Sequence, residues 1–152
     1  MISFDPASVE DAAEISALTR HVICTVNSKD YSTEEVELAC DLFSLEYFST
    51  RMTSRIFYKV TLDNEIIGQA SFGDGKIHSL FVHPQFQGRG IGSKLLAKLE
   101  LAAIEKKTTD IFLSSSITAK GFYEKFGYLL VRSESSPFGT TFLMEKQLVQ
   151  NC

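Results

Sequence analysis

The chain has 152 residues, of which 44% are hydrophobic and 22% are charged, and its formal net charge is −4. This length and balance predict one globular domain covering residues 1–152 and exclude an intrinsically disordered chain. The acidic balance argues against nucleic acid as a partner, because such binding needs a basic surface. No apolar run reaches the roughly 18 residues of a membrane span, and the N-terminus lacks the features of a signal peptide. We therefore expect a cytoplasmic protein with no membrane partner.

The cysteines and histidines give no sign of a metal centre. Cys24, Cys40 and Cys152 are far apart in sequence and form no C-x-x-C pair. The three histidines show no H-E-x-x-H or other ligand spacing. We expect reduced thiols, no disulfide framework and no bound metal.

Apolar periodicity and turn residues predict the first elements of the chain. Residues 2–4 read as a strand, and a helix follows a cap at Ser8 or Asp11. A second helix begins with Thr33 as its cap, and its apolar positions continue to Leu45.

The remaining elements alternate between β-rich runs and helical patterns. In chain order they are strands at 57–62, 66–72 and 77–82, a helix at 91–107, a strand at 111–113, a helix at 118–126, and strands at 128–131 and 141–144. A hairpin joins the first two of these strands, and a polar loop at 133–139 separates the last two. Antiparallel hairpins mixed with helical crossovers predict an α+β (α/β three-layer) domain with a mixed sheet flanked by helices.

The segment QGRGIGSK at 87–94 lies between a β-rich run and an amphipathic helix. Its glycines let the backbone approach a ligand closely, and the helix start offers unpaired N–H groups and a positive dipole end. Arg89 and Lys94 add positive charge, so the segment predicts a phosphate or pyrophosphate site. A dinucleotide fingerprint would need glycine where Ser93 stands. The alternative is a turn that merely connects strand to helix.

Three segments in this order resemble the GNAT acetyltransferase superfamily. QGRGIG at 87–92 matches its Q/R-x-x-G-x-G/A signature, and LFVHP at 80–84 resembles its L-x-V-x-P strand end. AKGFYEKFGY at 119–128 resembles its A-x-x-F-Y-x-x-x-G-F/Y segment. The resemblance covers roughly residues 76–131, whereas the first 60 residues carry no such signature.

The resemblance implies a mostly antiparallel twisted sheet and an N-acetyltransferase. Its donor would be acetyl-CoA, and its acceptor a primary amine of a small molecule or peptide, acetylated directly through a tetrahedral intermediate. The residues implied to bind CoA are Leu80, Phe81 and Val82 along the pantetheine arm, Gln87, Gly88, Arg89, Gly90, Ile91, Gly92 and Ser93 around the pyrophosphate, and Ser116 as a weak contact. The family often has asparagine at the position of Ser116, so the bidentate amide is lost here.

The resemblance also implies which side chains carry the proton transfers. Tyr123 stands at the family's general-acid position, and its alternative role is that of a core tyrosine. His78 precedes Leu80 by two residues, which places both on one side of a strand. Its ordinary pKa suits base work, with simple packing on the sheet as the alternative. Three carboxylates are further base candidates: Glu35, Glu46 and Asp74.

Several alternatives remain open at the level of sequence. The acidic stretch that begins at Asp30 would attract a cationic amine or simply form a solvated helix face. The chain could also be a non-catalytic acyl-CoA-binding regulatory module, a transferase that uses a different acyl thioester, or a plain interaction domain. An edge strand at 141–144 would offer pairing to a second copy, which makes a homodimer one option.

Overall fold

A computed structural model describes residues 1–149 and contains one seven-stranded sheet with helices on both faces. The strands are β1 (Ile2–Pro6), β2 (Ile56–Leu62), β3 (Glu65–Gly73), β4 (Lys76–Val82), β5 (Asp110–Ser116), β6 (Leu129–Ser136) and β7 (Gly139–Gln147). The α-helices are α1 (Ala12–Thr25), α2 (Thr33–Leu42), α3 (Leu45–Arg51), α4 (Ile91–Glu105) and α5 (Lys120–Lys125).

The sheet is mostly antiparallel, with the strand order β1-β2-β3-β4-β5-β7-β6. Neighbouring strands are antiparallel except β4 and β5, which run parallel and are joined through α4. Asp63 and Asn64 form the predicted β2–β3 turn with φ of 50° and 66°, as a two-residue hairpin requires. The predicted α+β class with a mixed, mostly antiparallel sheet is confirmed.

Two apolar clusters hold helices to opposite faces of the sheet. On one face, Leu95 and Leu99 of α4 and Tyr123 of α5 are buried in a cluster that also contains the strand residues Val60 and Ala70. On the other face, the apolar stripe of α1 packs with α3 against β2 and β3. The helix patterns predicted for residues 12–23 and 91–107 thus correspond to the buried stripes of α1 and α4.

The second helical region contains two helices rather than one. The chain leaves the helical conformation at Phe43, and Ser44 caps α3 by accepting a hydrogen bond from the N–H of Tyr47 at 3.2 Å. The Ser16 hydroxyl of α1 donates to the Phe43 carbonyl at 2.7 Å. This bond satisfies a carbonyl that the interrupted helix leaves without its usual partner.

The predicted cap of α2 is wrong by one residue. Ser32 is the cap, and its hydroxyl accepts from the N–H of Glu35 at 3.1 Å. The Glu35 carboxylate accepts in return from the N–H of Ser32 at 2.9 Å. This reciprocal capping box satisfies two amide groups at the helix start, an arrangement that Thr33 lacks.

The region near the C-terminus differs from prediction in two ways. The expected polar loop at 133–139 is a hairpin, in which only Pro137 and Phe138 separate β6 from β7. The segment 141–144 lies in β7, which is paired on both sides with β5 and β6. It is therefore not an edge strand, and its backbone offers no pairing to a second copy. No helix within residues 1–149 is long and apolar enough to cross a bilayer.

Candidate active site

The site lies where two parallel strands separate. β4 and β5 are paired only at Lys76 with Phe112 and at Ile77 with Leu113. Beyond these pairs β4 stays bonded to β3, and β5 stays bonded to β7. The facing edges of the two strands therefore leave a gap in the sheet. A cleft of about 740 Å³ occupies this region, with the ends of β4 and β5 among its walls.

A β-bulge places His78 at the start of this gap. Ser71 is paired with Ser79, and Phe72 with Ile77, so His78 has no partner in the register. The rule that residues two apart lie on the same side of a strand cannot be applied to His78 and Leu80, because the bulge inserts one residue. Both side chains nevertheless line the cleft.

The His78 ring is held in one tautomer by the backbone. Its Nε2 lies 3.0 Å from the carbonyl oxygen of Gly73, which can only accept, so Nε2 carries the proton. Burial, followed by the charge of Arg55, lowers the pKa of His78 below its ordinary value. The ring is therefore neutral near pH 7 and keeps a lone pair on Nδ1.

A buried polar network fixes the strands beside the bulge. The Gln69 amide donates to the Thr19 hydroxyl at 3.1 Å, and Ser79 donates to the Gln69 carbonyl oxygen at 2.9 Å. The hydroxyls of Ser71 and Ser79 are 2.7 Å apart. All four side chains are buried, and each has a partner. Such a satisfied network fixes the register of β3 and β4 against α1 at the bulge.

The glycine loop opens its backbone toward the cleft. Gly88 and Gly90 have φ of 79° and 81°, and Gly90 is the N-cap residue of α4. A Cβ at Gly88 would meet nothing within 4 Å, and one at Gly90 only the Ser93 hydroxyl at 3.8 Å. Gln87 anchors the loop by donating to the Val82 carbonyl at 3.0 Å. An open backbone of this kind at a helix N-terminus is suited to an anion, and residues 87–93 are called the anion cradle below.

The start of α4 lies close to α5. A Cβ at Gly92 would be 3.4 Å from two ring carbons of Phe122, so glycine allows this approach. Ser116 anchors the chain before α5 by accepting from the N–H of Ala119 at 3.1 Å, and its own proton is still available to donate. These contacts position α5, and with it Tyr123, against the anion cradle.

Tyr123 lines the cleft although its side chain is only 6% exposed. Its ring packs edge-on against Phe122 and Tyr128, at centroid distances of 5.2 and 5.7 Å. Burial raises the pKa of Tyr123 above the ordinary tyrosine value. The phenol is therefore protonated at neutral pH and can act as a hydrogen donor.

The structure brings together nearly all the side chains that the sequence singled out. Twelve of the thirteen candidate residues line the cleft: His78, Leu80, Phe81, Val82, Gln87, Gly88, Gly90, Ile91, Gly92, Ser93, Ser116 and Tyr123. Arg89 does not line the cleft, and its guanidinium lies over the Phe86 ring, 5.3 Å from the centroid. Of the three carboxylate candidates only Glu35 lines the cleft. Within residues 1–149 no group of three metal-binding side chains comes together.

Tyr31 forms a part of the cleft wall that the sequence did not predict. Its hydroxyl donates to the Thr140 carbonyl at 2.9 Å and accepts from the N–H of Ile117 at 2.8 Å. Nearby, the Thr118 hydroxyl donates to the Asp30 carboxylate at 2.7 Å. These bonds join the segment between α1 and α2 to the β6–β7 hairpin and to the start of α5. No local signal indicates such contacts, since the partners are 86 to 109 residues apart.

Replacing Gly139 with alanine is expected to destabilise this wall. The residue has φ of 103°, and an added Cβ would lie 2.6 and 2.7 Å from two ring carbons of Tyr31. We expect a loss of about 2 kcal/mol in the free energy of unfolding, measured in denaturant. Gly75→Ala is the matched control, because Gly75 has φ of 77° but open space around it. Equal losses in the two variants would contradict close packing of Tyr31 on the hairpin.

Comparison with known proteins identifies the fold and the family. The model of the "Acetyltransferase (GNAT) domain" family matches residues 27–148. The chain belongs to the GNAT acetyltransferase family. It is therefore an acetyltransferase, as the three sequence segments implied. A curated relative, the uncharacterized N-acetyltransferase YafP of Escherichia coli K12, is 23% identical over 82% of this chain and 79% of its own.

Solved structures of other GNAT proteins superpose on nearly the whole chain. A GCN5-related N-acetyltransferase from Rhodopseudomonas palustris is 28% identical, with a TM-score of 0.88 over 96% of this chain and 95% of that one. The PaiA N-acetyltransferase of Thermoplasma acidophilum, solved in complex with coenzyme A, is 22% identical, with a TM-score of 0.82 over 97% and 99%.

Proposed function

We propose that this GNAT enzyme moves an acetyl group from acetyl-CoA directly to a primary amine. The observation that carries the proposal is the gap between β4 and β5, which leads to the glycine cradle at the start of α4. An extended pantetheine arm would add to the free edge of β4 at Leu80, Phe81 and Val82 as another strand does. The pyrophosphate would accept from the backbone N–H groups of residues 87–93. Acetyl-CoA supplies the activated acetyl thioester.

The edge of β4 also supplies the electrophilic assistance. The N–H of Val82 would point into the gap, because the N–H of His83 is bonded to the Ile67 carbonyl of β3 and backbone groups alternate along a strand. This N–H, rather than that of Phe81, would polarise the thioester carbonyl as its oxygen gains charge. The register of this edge is held by Ser79 and Gln69, which are bonded to each other at 2.9 Å beneath it. A donor held in place in this way costs no reorganisation during the reaction.

We assign the general acid to Tyr123. The leaving thiolate needs a proton or a strong hydrogen bond, and the Tyr123 phenol carries its proton at neutral pH. Burial raises the pKa of Tyr123 further, which keeps the proton on the phenol until charge develops on the sulfur. Its position beside Phe122, whose ring lies against Gly92, supports this role, because the same contact places it next to the cradle. A hydrogen bond or proton from Tyr123 would stabilise the thiolate as it leaves the tetrahedral intermediate.

We assign the general base to His78. An acceptor amine enters mainly as an ammonium and must lose a proton before it attacks. The neutral His78 ring has a lone pair on Nδ1, while its Nε2–H donates a hydrogen bond to the Gly73 carbonyl. The ring can therefore take the proton directly or through a water.

The pH profile of a His78 variant tests that assignment. We expect His78→Gln to lower kcat/KM at least about tenfold and to remove the acid limb of its pH profile. In the unmodified enzyme this limb should lie below pH 6.5, because burial and Arg55 lower the pKa of His78. His21→Gln, at an exposed position, is the control. An unchanged acid limb with full activity in His78→Gln would exclude this base.

We further propose that the acceptor carries its amine on an apolar body without a carboxylate. The wall from α1 and α2 is mainly apolar, with Val22, Val26, Val36 and Ala39 among its residues. Among the cleft-lining residues in the described range, Lys125 at the end of α5 is the only lysine or arginine. An acceptor carboxylate would therefore lack a cation on the α1–α2 side, whereas the Glu35 carboxylate there favours an ammonium.

A matched pair of acceptors tests this proposal. 2-Phenylethylamine and phenylalanine share the same apolar body and differ by one carboxylate. The rate is measured by detection of the released CoA thiol. We expect kcat/KM for 2-phenylethylamine to exceed that for phenylalanine by about tenfold or more. Glu35→Gln should reduce that ratio, and it keeps the capping box because glutamine also supplies the required oxygen. A preference for phenylalanine would overturn this acceptor class, and CoA binding without turnover of any amine would instead identify a regulatory module.

A further inference from the structure

Two thiols that are 16 residues apart in sequence meet between α1 and α2. The sulfur of Cys24, in the last turn of α1, is 3.3 Å from the sulfur of Cys40 on α2. The Cys40 sulfur also lies 3.9 Å from the Arg20 carbonyl oxygen. Cys24 is exposed, whereas Cys40 is 9% exposed. One thiol of the pair is thus open to solutes, and the other is held directly behind it.

We propose that Cys24 and Cys40 form a reversible disulfide site. A disulfide bond is about 2.05 Å long, so the sulfurs need to approach by only about 1.2 Å. Both residues lie near helix ends: Cys24 is the second-last residue of α1, and Cys40 is the third-last residue of α2. Small side-chain rotations and movements of the helix ends can therefore supply the approach.

The oxidant class that fits this geometry is a small disulfide such as oxidised glutathione. The exposed Cys24 thiolate attacks one sulfur of the oxidant, which gives a mixed disulfide and releases one reduced glutathione. Cys40 then loses its proton and attacks the Cys24 sulfur, which forms the protein disulfide and releases the second glutathione. Two protein thiols are oxidised, and one glutathione disulfide is reduced to two thiols.

The order of these steps follows from access and acidity. Cys40 is buried, and burial together with the neighbouring Cys24 raises its pKa to about 11. Few Cys40 thiolates exist at neutral pH, so the first attack belongs to Cys24. The second step is intramolecular and starts from sulfurs already in contact, which compensates for the small thiolate fraction. The equilibrium is therefore a better readout than the rate.

The bond would join two helices that form one wall of the cleft. Val22 and Ile23 precede Cys24, and Val36 and Ala39 precede Cys40; all four line the cleft. A disulfide would fix the spacing of α1 and α2 at this wall, where we place the acceptor. This consequence rests on the proposed function, whereas formation of the disulfide does not.

Redox titration in a Cys152→Ser background tests the site, because only the two thiols then remain. The protein is equilibrated in buffers of reduced and oxidised glutathione and quenched with acid. The mass of the intact protein is then measured by mass spectrometry. We expect a species lighter by two hydrogens, returned to the starting mass by reduced glutathione, with a raised melting temperature. Cys40→Ser should accumulate a glutathione adduct at Cys24, and Cys24→Ser should stay largely unmodified.

Two results would overturn the proposal. One is a glutathione adduct that persists on Cys24 while Cys40 remains reduced in the Cys152→Ser protein. The other is no mass change across the whole buffer range. Melting temperatures of the reduced serine variants check that each is folded. Since no acetyl transfer is measured, failure here is distinguishable from failure of the proposed function.

Discussion

Replacing Gly90 with glutamate is expected to abolish measurable binding of acetyl-CoA. Gly90 is the N-cap of α4 and has φ of 81°, a conformation that residues other than glycine adopt only with strain. The new carboxylate would stand at the backbone cradle where the pyrophosphate is expected, so repulsion adds to the strain. We expect a loss in affinity of about 100-fold or more, measured by calorimetric titration.

The matched control for this variant is Gly75→Glu. Gly75 has φ of 77° and lies in the turn between β3 and β4, outside the cleft, so the same strain and charge are added elsewhere. Its affinity for acetyl-CoA should stay within about twofold of the unmodified protein. An unchanged affinity in Gly90→Glu would contradict the pyrophosphate assignment.

Replacing Tyr123 with phenylalanine is expected to lower kcat about 100-fold while the dissociation constant for acetyl-CoA changes little. General acid catalysis contributes on this scale, and the missing hydroxyl removes the proton donor without removing the ring. Packing against Phe122 and Tyr128 should survive, because it involves the ring alone. Steady-state kinetics and calorimetry together separate the two effects.

Tyr128→Phe controls for the loss of a buried tyrosine hydroxyl. The Tyr128 hydroxyl donates to the Glu100 carboxylate at 2.8 Å, and the residue does not line the cleft. We expect this control to reduce stability by about 1–2 kcal/mol and to leave kcat nearly unchanged. If Tyr123→Phe retains full activity, another group or a water protonates the thiolate.

The sequence predicted the part of the site that depends on local chemistry. The glycines at 88 and 90 adopt positive φ, and the helix that follows buries its predicted apolar stripe. These features are encoded within one short segment, so pattern and spacing suffice. The hairpin turn at Asp63 and Asn64 was predictable for the same reason.

The sequence failed where distant contacts decide the structure. The break between α2 and α3 lies inside a continuous apolar pattern, and the Phe43 carbonyl is satisfied by Ser16, 27 residues away. The strand predicted at 128–131 corresponds to the start of β6, but the rest of β6 was predicted as loop because this exposed segment shows no alternation, and its pairing with β7 establishes it. The Tyr31 wall and the contact between Cys24 and Cys40 join elements whose proximity no local pattern indicates.

Calorimetric titration of the pure protein with acetyl-CoA, with CoA and NADH as comparators, tests the central claim most directly. All three ligands carry an adenine nucleotide with a pyrophosphate, but only the first two carry the pantetheine arm that we place along β4. Saturable binding of acetyl-CoA and CoA, with none for NADH, is the predicted result. Absence of saturable heat for either CoA species would contradict it, because the glycine loop and the gap beside β4 would then hold no donor.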